Sequence, residues 1–251
     1  MLERHRTGTY FDDWDRSIAN NPVKCKHFRH IEAELAGLDA AAWEHLKAHV
    51  VPLFESYDDI RGWQAAFDKL KLNEAKGYNF LTRLGCTDVT FVPAVPASRQ
   101  KTPDLRGKLG TGKVLCEVKT INPSDFEASR RCATLRGENV VFTIQAALPG
   151  GFFRKLIATI EHADAQMAAY CSHDAGRRIA YVILNFDDGL SEYSNEYIKQ
   201  IQEFLHQAEL PRSEIVFDLK PGYYSATSES IASRRFLYSL DRSWAPLPGD
   251  P

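Results

Sequence analysis

Apolar residues recur along the chain first with helical and then with strand periodicity, and the changeover outlines an α/β protein. From His30 to Leu46 the spacing is helical and helix formers are frequent; Pro52 ends or kinks that segment. Between Asp59 and Leu84, Ile60, Trp63, Phe67 and Leu70 fall at i, i+3, i+7 and i+10. The pattern is re-capped near Asn73 and closed by Gly85. Three β-type stretches come next, Asp88–Pro93, Thr102–Gly107 and Val114–Ile121. Residues 123–137 read as an insertion with a short helix capped by Asn122 or Ser124, and Val140–Ala146 as a candidate strand. Phe152–Cys171 is an amphipathic helix with Phe153, Leu156, Ile157, Ile160, Ala163 and Met167 on one stripe. The unbroken run Ile179–Phe186 suits a central strand covered on both faces. Glu192–Gln207 reads as helix and Ser213–Leu219 as strand, and the Pro/Gly-rich tail after Ser243 is expected to be ordered by docking. The expected organisation is a helical lobe over 1–58, an α/β core over 59–220 and an extension over 221–251.

Composition narrows the class. At 251 residues, 44% hydrophobic and 25% charged, the chain has the make-up of an ordinary globular protein. No apolar run approaches the roughly 18 residues of a membrane span, and MLERHRTGTYFDDWDR lacks the apolar stretch of a secretion signal. The five cysteines (25, 86, 116, 132 and 171) are scattered and form no CxxC pair, which argues for reduced thiols in a cytoplasmic compartment. Cys116 falls in a predicted buried strand, where packing is its expected role.

Net charge is only −2, but it is unevenly placed. Residues 99–136 hold nine of the 31 Lys+Arg and only four of the 33 Asp+Glu. A basic island thus sits on an acidic body, either as a solvated hairpin or as a phosphate-steering patch.

The island contains TPDLRGKLGTGKVLCEVKT (102–120), which supports two chemistries. From Gly107, GKLGTGKV approaches a phosphate-cradling loop. Val114, however, stands where the magnesium-holding Ser or Thr is required, and the residues after it read as strand rather than helix. The glycines serve better as a hairpin turn. In the second reading, strand alternation sends Glu117 and Lys119 to one face and Val118 to the other. Antiparallel pairing across the hairpin then sets Asp104 beside Glu117. Two carboxylates, with the Val118 carbonyl, form a hard-oxygen site for Mg²⁺. A lysine in the same cavity can hold or deprotonate the attacking water. A plain Glu117–Lys119 salt bridge on a solvated edge strand is the alternative.

Pro103-Asp104 followed by Glu117-Val118-Lys119 resembles the signature of the PD-(D/E)xK nuclease superfamily, whose restriction-endonuclease-like core runs αβββαβ. Gln166 and Tyr170, in QMAAY, resemble the QxxxY element of its RecB-like branch. The resemblance spans about residues 74–186 and implies a mixed central sheet flanked by helices; the N-terminal helical lobe and everything after Gly189 lie outside it. It also implies roles. Asp104, Glu117 and the Val118 carbonyl hold Mg²⁺, with Mn²⁺ as substitute, and Glu74 assists directly or through water. Lys119 positions the water, and Gln166 orients it or contacts the scissile phosphate. Glu55 and Asp68 could replace Glu74, which could instead be a first-turn carboxylate complementing its helix dipole.

The expected activity is hydrolysis of phosphodiester bonds in DNA, with RNA left open. Arg99, Lys101, Arg106, Lys108, Arg130 and Arg131 would contact phosphates, and Tyr170 would line the groove. A homodimer is compatible with this reading, and no membrane partner is expected. The same fold could also serve as an inactive nucleic-acid- or protein-binding module. Weaker candidates are Lys155, Thr159 and His162, on one helix stripe with Gln166, the pair His27/His30, and Tyr223-Tyr224 with Arg234-Arg235.

Overall fold

A computed structural model of the chain describes residues 32–50, 72–93, 102–122, 146–171, 176–185, 193–220 and 234–247, with single positions 129, 133 and 138. Several expectations lie outside these residues: the Ile60–Leu70 stripe, most of the 123–137 insertion, the strand near Val140, and Pro52, Glu55, Asp68, His27, His30, Tyr223 and Tyr224. The chain divides into two compact units, Met1–Lys76 with Pro123–Phe142, and Gly77–Asn122 with Thr143–Pro251.

In the first unit the helical pattern up to Leu46 is broken once. Residues 32–36 are helical, and α1 (Ala40–Val50) then restarts. Asp39 explains the restart, because its Oδ1 accepts the Ala42 amide at 2.8 Å, a side-chain N-cap. Ala42, Leu46 and Val50 form the buried stripe of α1. α2 (Glu74–Arg83), which belongs to the second unit from Gly77 on, ends in a Schellman motif: Cys86 N–H bonds Leu81 O at 3.0 Å, and Gly85 N–H bonds Thr82 O at 3.0 Å.

The second unit is built on one seven-stranded mixed sheet in sequential order: β1 (Thr87–Phe91), β2 (Leu105–Leu109), β3 (Gly112–Ile121), β4 (Arg177–Asn185), β5 (Glu214–Lys220), β6 (Arg234–Tyr238) and β7 (Trp244–Pro246). β1, β2 and β3 are antiparallel neighbours, β3, β4 and β5 run parallel, and β6 and β7 return antiparallel. α3 (Gly150–Tyr170) connects β3 to β4, and α4 (Ser194–Gln207) connects β4 to β5.

Burial on both faces accounts for the apolar run in β4. Ala180, Val182 and Leu184 join Leu156, Ile160, Ala163 and Met167 of α3 and Ile198, Ile201 and Leu205 of α4 in one core. Ile179, Tyr181 and Ile183 point the other way and are also fully buried. There Tyr181 meets Phe80 of α2, with ring centroids 5.6 Å apart, and its hydroxyl donates to Asp218 Oδ2 at 2.9 Å.

Gly77 governs how closely α2 sits on β3. A Cβ built at Gly77 would lie 2.6 Å from Val118 Cγ2 and 2.9 Å from Leu105 Cδ1. Val118 is β-branched and stiff at χ1, so relief requires the helix to move. Gly77→Ala is expected to cost about 1–3 kcal/mol by overpacking. A denaturant midpoint unchanged from wild type would contradict this close packing.

β6 and β7 lie beyond the elements expected from sequence. Trp244 stacks between Phe217 and Phe236, with centroids 5.3 Å from each, and meets Tyr238 edge-on at 6.0 Å. Side-chain stacking, rather than strand length, holds this short outer ribbon.

Candidate functional site

The turn between β2 and β3 decides between the two chemistries of the glycine-rich stretch. Leu109 pairs with Gly112 across Gly110-Thr111. Gly110 carries a positive φ of 59°, as the first loop position of a II′-type hairpin requires. The residues after the glycines are strand β3, so no helix N-terminus faces this loop and the phosphate-loop geometry is absent.

The hairpin register then brings the acids together. Leu105 lies opposite Cys116, which sets Asp104, one residue earlier, beside Glu117. Two hydrogen bonds fix the pair: Asp104 N–H donates to Glu117 Oε2 at 3.1 Å, and Val118 N–H donates to Asp104 Oδ2 at 2.8 Å. The Asp104 carbonyl accepts the Val92 amide at 2.9 Å, which anchors the same residue to the chain leaving β1. An extended residue points its N–H and C=O to one strand edge. The Val118 carbonyl therefore lies on the edge where Asp104 meets its amide.

Face assignment comes from alternation along β3. Cys116 and Val118 face α2, as the Gly77 contacts show. Leu115 and Ile121 belong to the core under α3, so Glu117 and Lys119 between them share that face. Glu117 is 1% exposed. Lys119 Nζ is ion-paired to Glu117 Oε1 and keeps partial exposure. Burial pushes the Glu117 carboxyl up to about 7. The charge of Asp104 raises it further, while Lys119 and the Asp104 amide pull it back.

α3 supplies the next group. Gln166 Nε2 donates to Thr102 O at 2.5 Å, so the helix grips the chain two residues before Asp104. On the same stripe Lys155 and His162 are exposed, and Thr159 and Tyr170 are half-buried. Arg106 and Lys108 alternate with buried Leu105 and Gly107 on β2, and both are exposed on the face that carries Asp104. Arg99, Lys101, Arg130 and Arg131 lie outside the described residues. Glu74 is the first residue of α2 and is buried; it belongs to the other compact unit. Its first-turn position suits the helix dipole.

Three features gave no sequence signal. Lys113, opposite Lys108 in the hairpin, adds a third cation to this face. Gly77 sets the depth of β3, and in sequence it resembles any helix-weakening glycine. Asp88 adopts a left-handed φ of 53° where the β1–β2 register shifts, and it pairs with Lys108 at 2.9 Å. A bulge of this kind re-aims side chains beside a site.

Among the described residues, no group of three or more His, Cys, Asp or Glu side chains converges. The metal-capable set on the sheet is therefore two carboxylates and one carbonyl. That set fits Mg²⁺, which commonly takes one or two carboxylates and keeps several waters. Cys86, Cys116 and Cys171 are free thiols, and Cys116 is fully buried. Among the described residues no helix is long and apolar enough to cross a membrane.

Comparison with protein-family models, curated proteins and solved structures returned no match.

Proposed function

We propose that the chain is a metal-dependent nuclease of the PD-(D/E)xK type, hydrolysing phosphodiester bonds in DNA on a restriction-endonuclease-like core. One observation carries this reading: the buried Glu117 carboxylate, the half-buried Asp104 carboxylate and a lysine ammonium share one face beside a backbone carbonyl. The order α2-β1-β2-β3-α3-β4 supports it, as does Gln166 at the chain leading into Asp104.

Asp104, Glu117 and the Val118 carbonyl would hold Mg²⁺. When bound, the ion supplies charge to polarise a phosphoryl oxygen and to acidify a water. Lys119 holds that water or steadies the charge that develops on the phosphate. Hydrolysis joins the water oxygen to phosphorus, breaks the ester P–O bond and leaves a proton for the departing alkoxide. Gln166 acts on this step by position, because it holds Thr102 and with it the approach of Pro103-Asp104 to β3. Arg106 and Lys108 grip backbone phosphates, so affinity falls as salt rises.

The Glu117–Lys119 ion pair also suits a second reading, a binding module whose buried charges satisfy each other. Plasmid, linear duplex and single-stranded substrates, each with Mg²⁺, Mn²⁺ or chelator, separate the two. The nuclease reading expects cleavage that metal restores and chelator stops. Intact substrates under every metal condition would leave the binding module.

A further inference from the structure

A cavity among the described residues lies on the same face as Asp104 and Glu117, farther along β2. About 700 Å³ in volume, it is lined by Asp88 and Thr90 of β1, Arg106 and Lys108 of β2, Lys113 of β3 and Tyr170 at the end of α3. Register explains the clustering. Lys108 pairs with Lys113, Arg106 with Leu115 and Thr90 with Arg106, so these side chains share one face. Asp104, just before β2, and Arg106 and Lys108 on it stand at alternate positions, so the cation row starts one step, about 7 Å, from the acid pair.

The lining has a built polarity. Asp88, the one acid among these residues, is already engaged by Lys108, whose ammonium holds its carboxyl below the usual range. Arg106 Nε is held by Thr90 Oγ1 at 3.2 Å, which fixes the guanidinium fork. Three cations against one acid favour an anion, and the fork suits phosphate oxygens. Tyr170 packs partly on the core under α3 and presents the rest of its ring to the cavity. A cation row beside an aromatic ring is the equipment of single-strand recognition, with phosphates on the cations and a base on the ring.

We propose that this cavity is a subsite for the unpaired strand of a polynucleotide, seating the nucleotide next to the scissile phosphate. Arg106 and Lys113 hold its phosphate and Tyr170 stacks its base. The inference rests on the nuclease reading for the adjoining bond, and the substrate it names is single-stranded or locally melted. Size supports the assignment, since about 700 Å³ lies within the range of pockets that enclose small organic ligands. A base can offer its face to Tyr170 only when it has left the duplex stack.

Anisotropy titrations in chelator test this without cleavage, using a short thymidylate strand, a uridylate strand of equal length and a blunt duplex. Wild type is expected to bind the single strands at least about ten-fold tighter than the duplex. Either sugar preference supports the subsite and names its source. Tyr170→Leu, which keeps an apolar group on the core, should weaken single-strand binding about ten-fold with its salt slope unchanged. Lys113→Gln should weaken it too and lower the salt slope by about one. Circular dichroism melts confirm that both variants fold. Equal affinity for duplex and single strand, or wild-type affinity in both variants, overturns the subsite. A chain that binds as expected but never cleaves overturns the nuclease reading alone. A chain that cleaves while both variants bind like wild type overturns the subsite alone.

Discussion

Lys119→Ala and Asp104→Asn should each lower Mg²⁺-dependent cleavage by about a hundred-fold or more, the usual contribution of a positioned proton-transfer or charge-stabilising group. Neither substitution removes a side chain from the apolar core. Lys119 is partly exposed, and an asparagine at 104 keeps an oxygen to accept the Val118 amide. The two losses should differ in their dependence on pH. Asp104 raises the Glu117 carboxyl and Lys119 lowers it. Removing the Asp104 charge therefore moves the acidic limb of residual activity to lower pH, and removing Lys119 moves it higher. Stopped-time assays between pH 5 and 9, on protein shown to be folded, give both the magnitude and the direction. Wild-type turnover in either variant would remove Asp104 or Lys119 from its role.

The features that the sequence made legible are those written in short-range alternation. Glu117 and Lys119 flank one apolar residue inside an apolar strand, so their shared face comes from the pleat alone. Two glycines between β-type stretches imply a hairpin, and the hairpin implies that Asp104 meets Glu117. The β4 run and the α3 stripe were legible for the same reason, each burying a continuous apolar surface. The break before α1 turned on one capping side chain, Asp39, inside an otherwise helical pattern. β6 and β7 were hidden because RRFLY is short and WAP holds a proline; their order comes from Trp244 meeting Phe217 and Phe236, contacts remote in sequence. Lys113 reads in sequence as part of a turn, and only the strand register puts it opposite Lys108.

Gly77 and Glu117 show how backbone packing and site chemistry meet on β3. The missing Cβ lets α2 lie against Val118, and Val118 is the residue between Glu117 and Lys119. Tight packing behind the strand leaves little freedom for the acid and the lysine in front of it. A site held in this way is preorganised by the fold, and the fold carries an electrostatic cost for it.

That cost gives the last prediction: without metal, Glu117→Gln should stabilise the protein at pH 8. The folded-state carboxyl titrates near 7, against an ordinary value of 4.5. The folded state therefore holds its proton more tightly than the unfolded chain. The associated stabilisation is fully present below about 4.5 and is lost as pH rises through about 7. At pH 8 the wild type carries a buried carboxylate that Lys119 and the Asp104 amide compensate in part. The glutamine keeps an acceptor for the Asp104 amide and has no charge to desolvate. A rise of about 2.5 units corresponds to a difference of roughly 3 kcal/mol, at about 1.4 kcal/mol per pKa unit. For a chain of this size it corresponds to a rise of roughly 6–12 °C in Tm. Divalent ion should reverse the order. Mg²⁺ or Mn²⁺ at pH 8 should raise the wild-type Tm through its preference for the folded state and leave Glu117→Gln unmoved. Near pH 6 the same binding should weaken and release a proton, because the ion requires the ionised carboxylate. Thermal melts across pH 5 to 8, with metal or chelator, read all three effects. A wild type whose Tm climbs steadily from pH 5 to 8 in chelator, or ignores the ion at pH 8, would show that Glu117 is not the buried, metal-ready acid of this site.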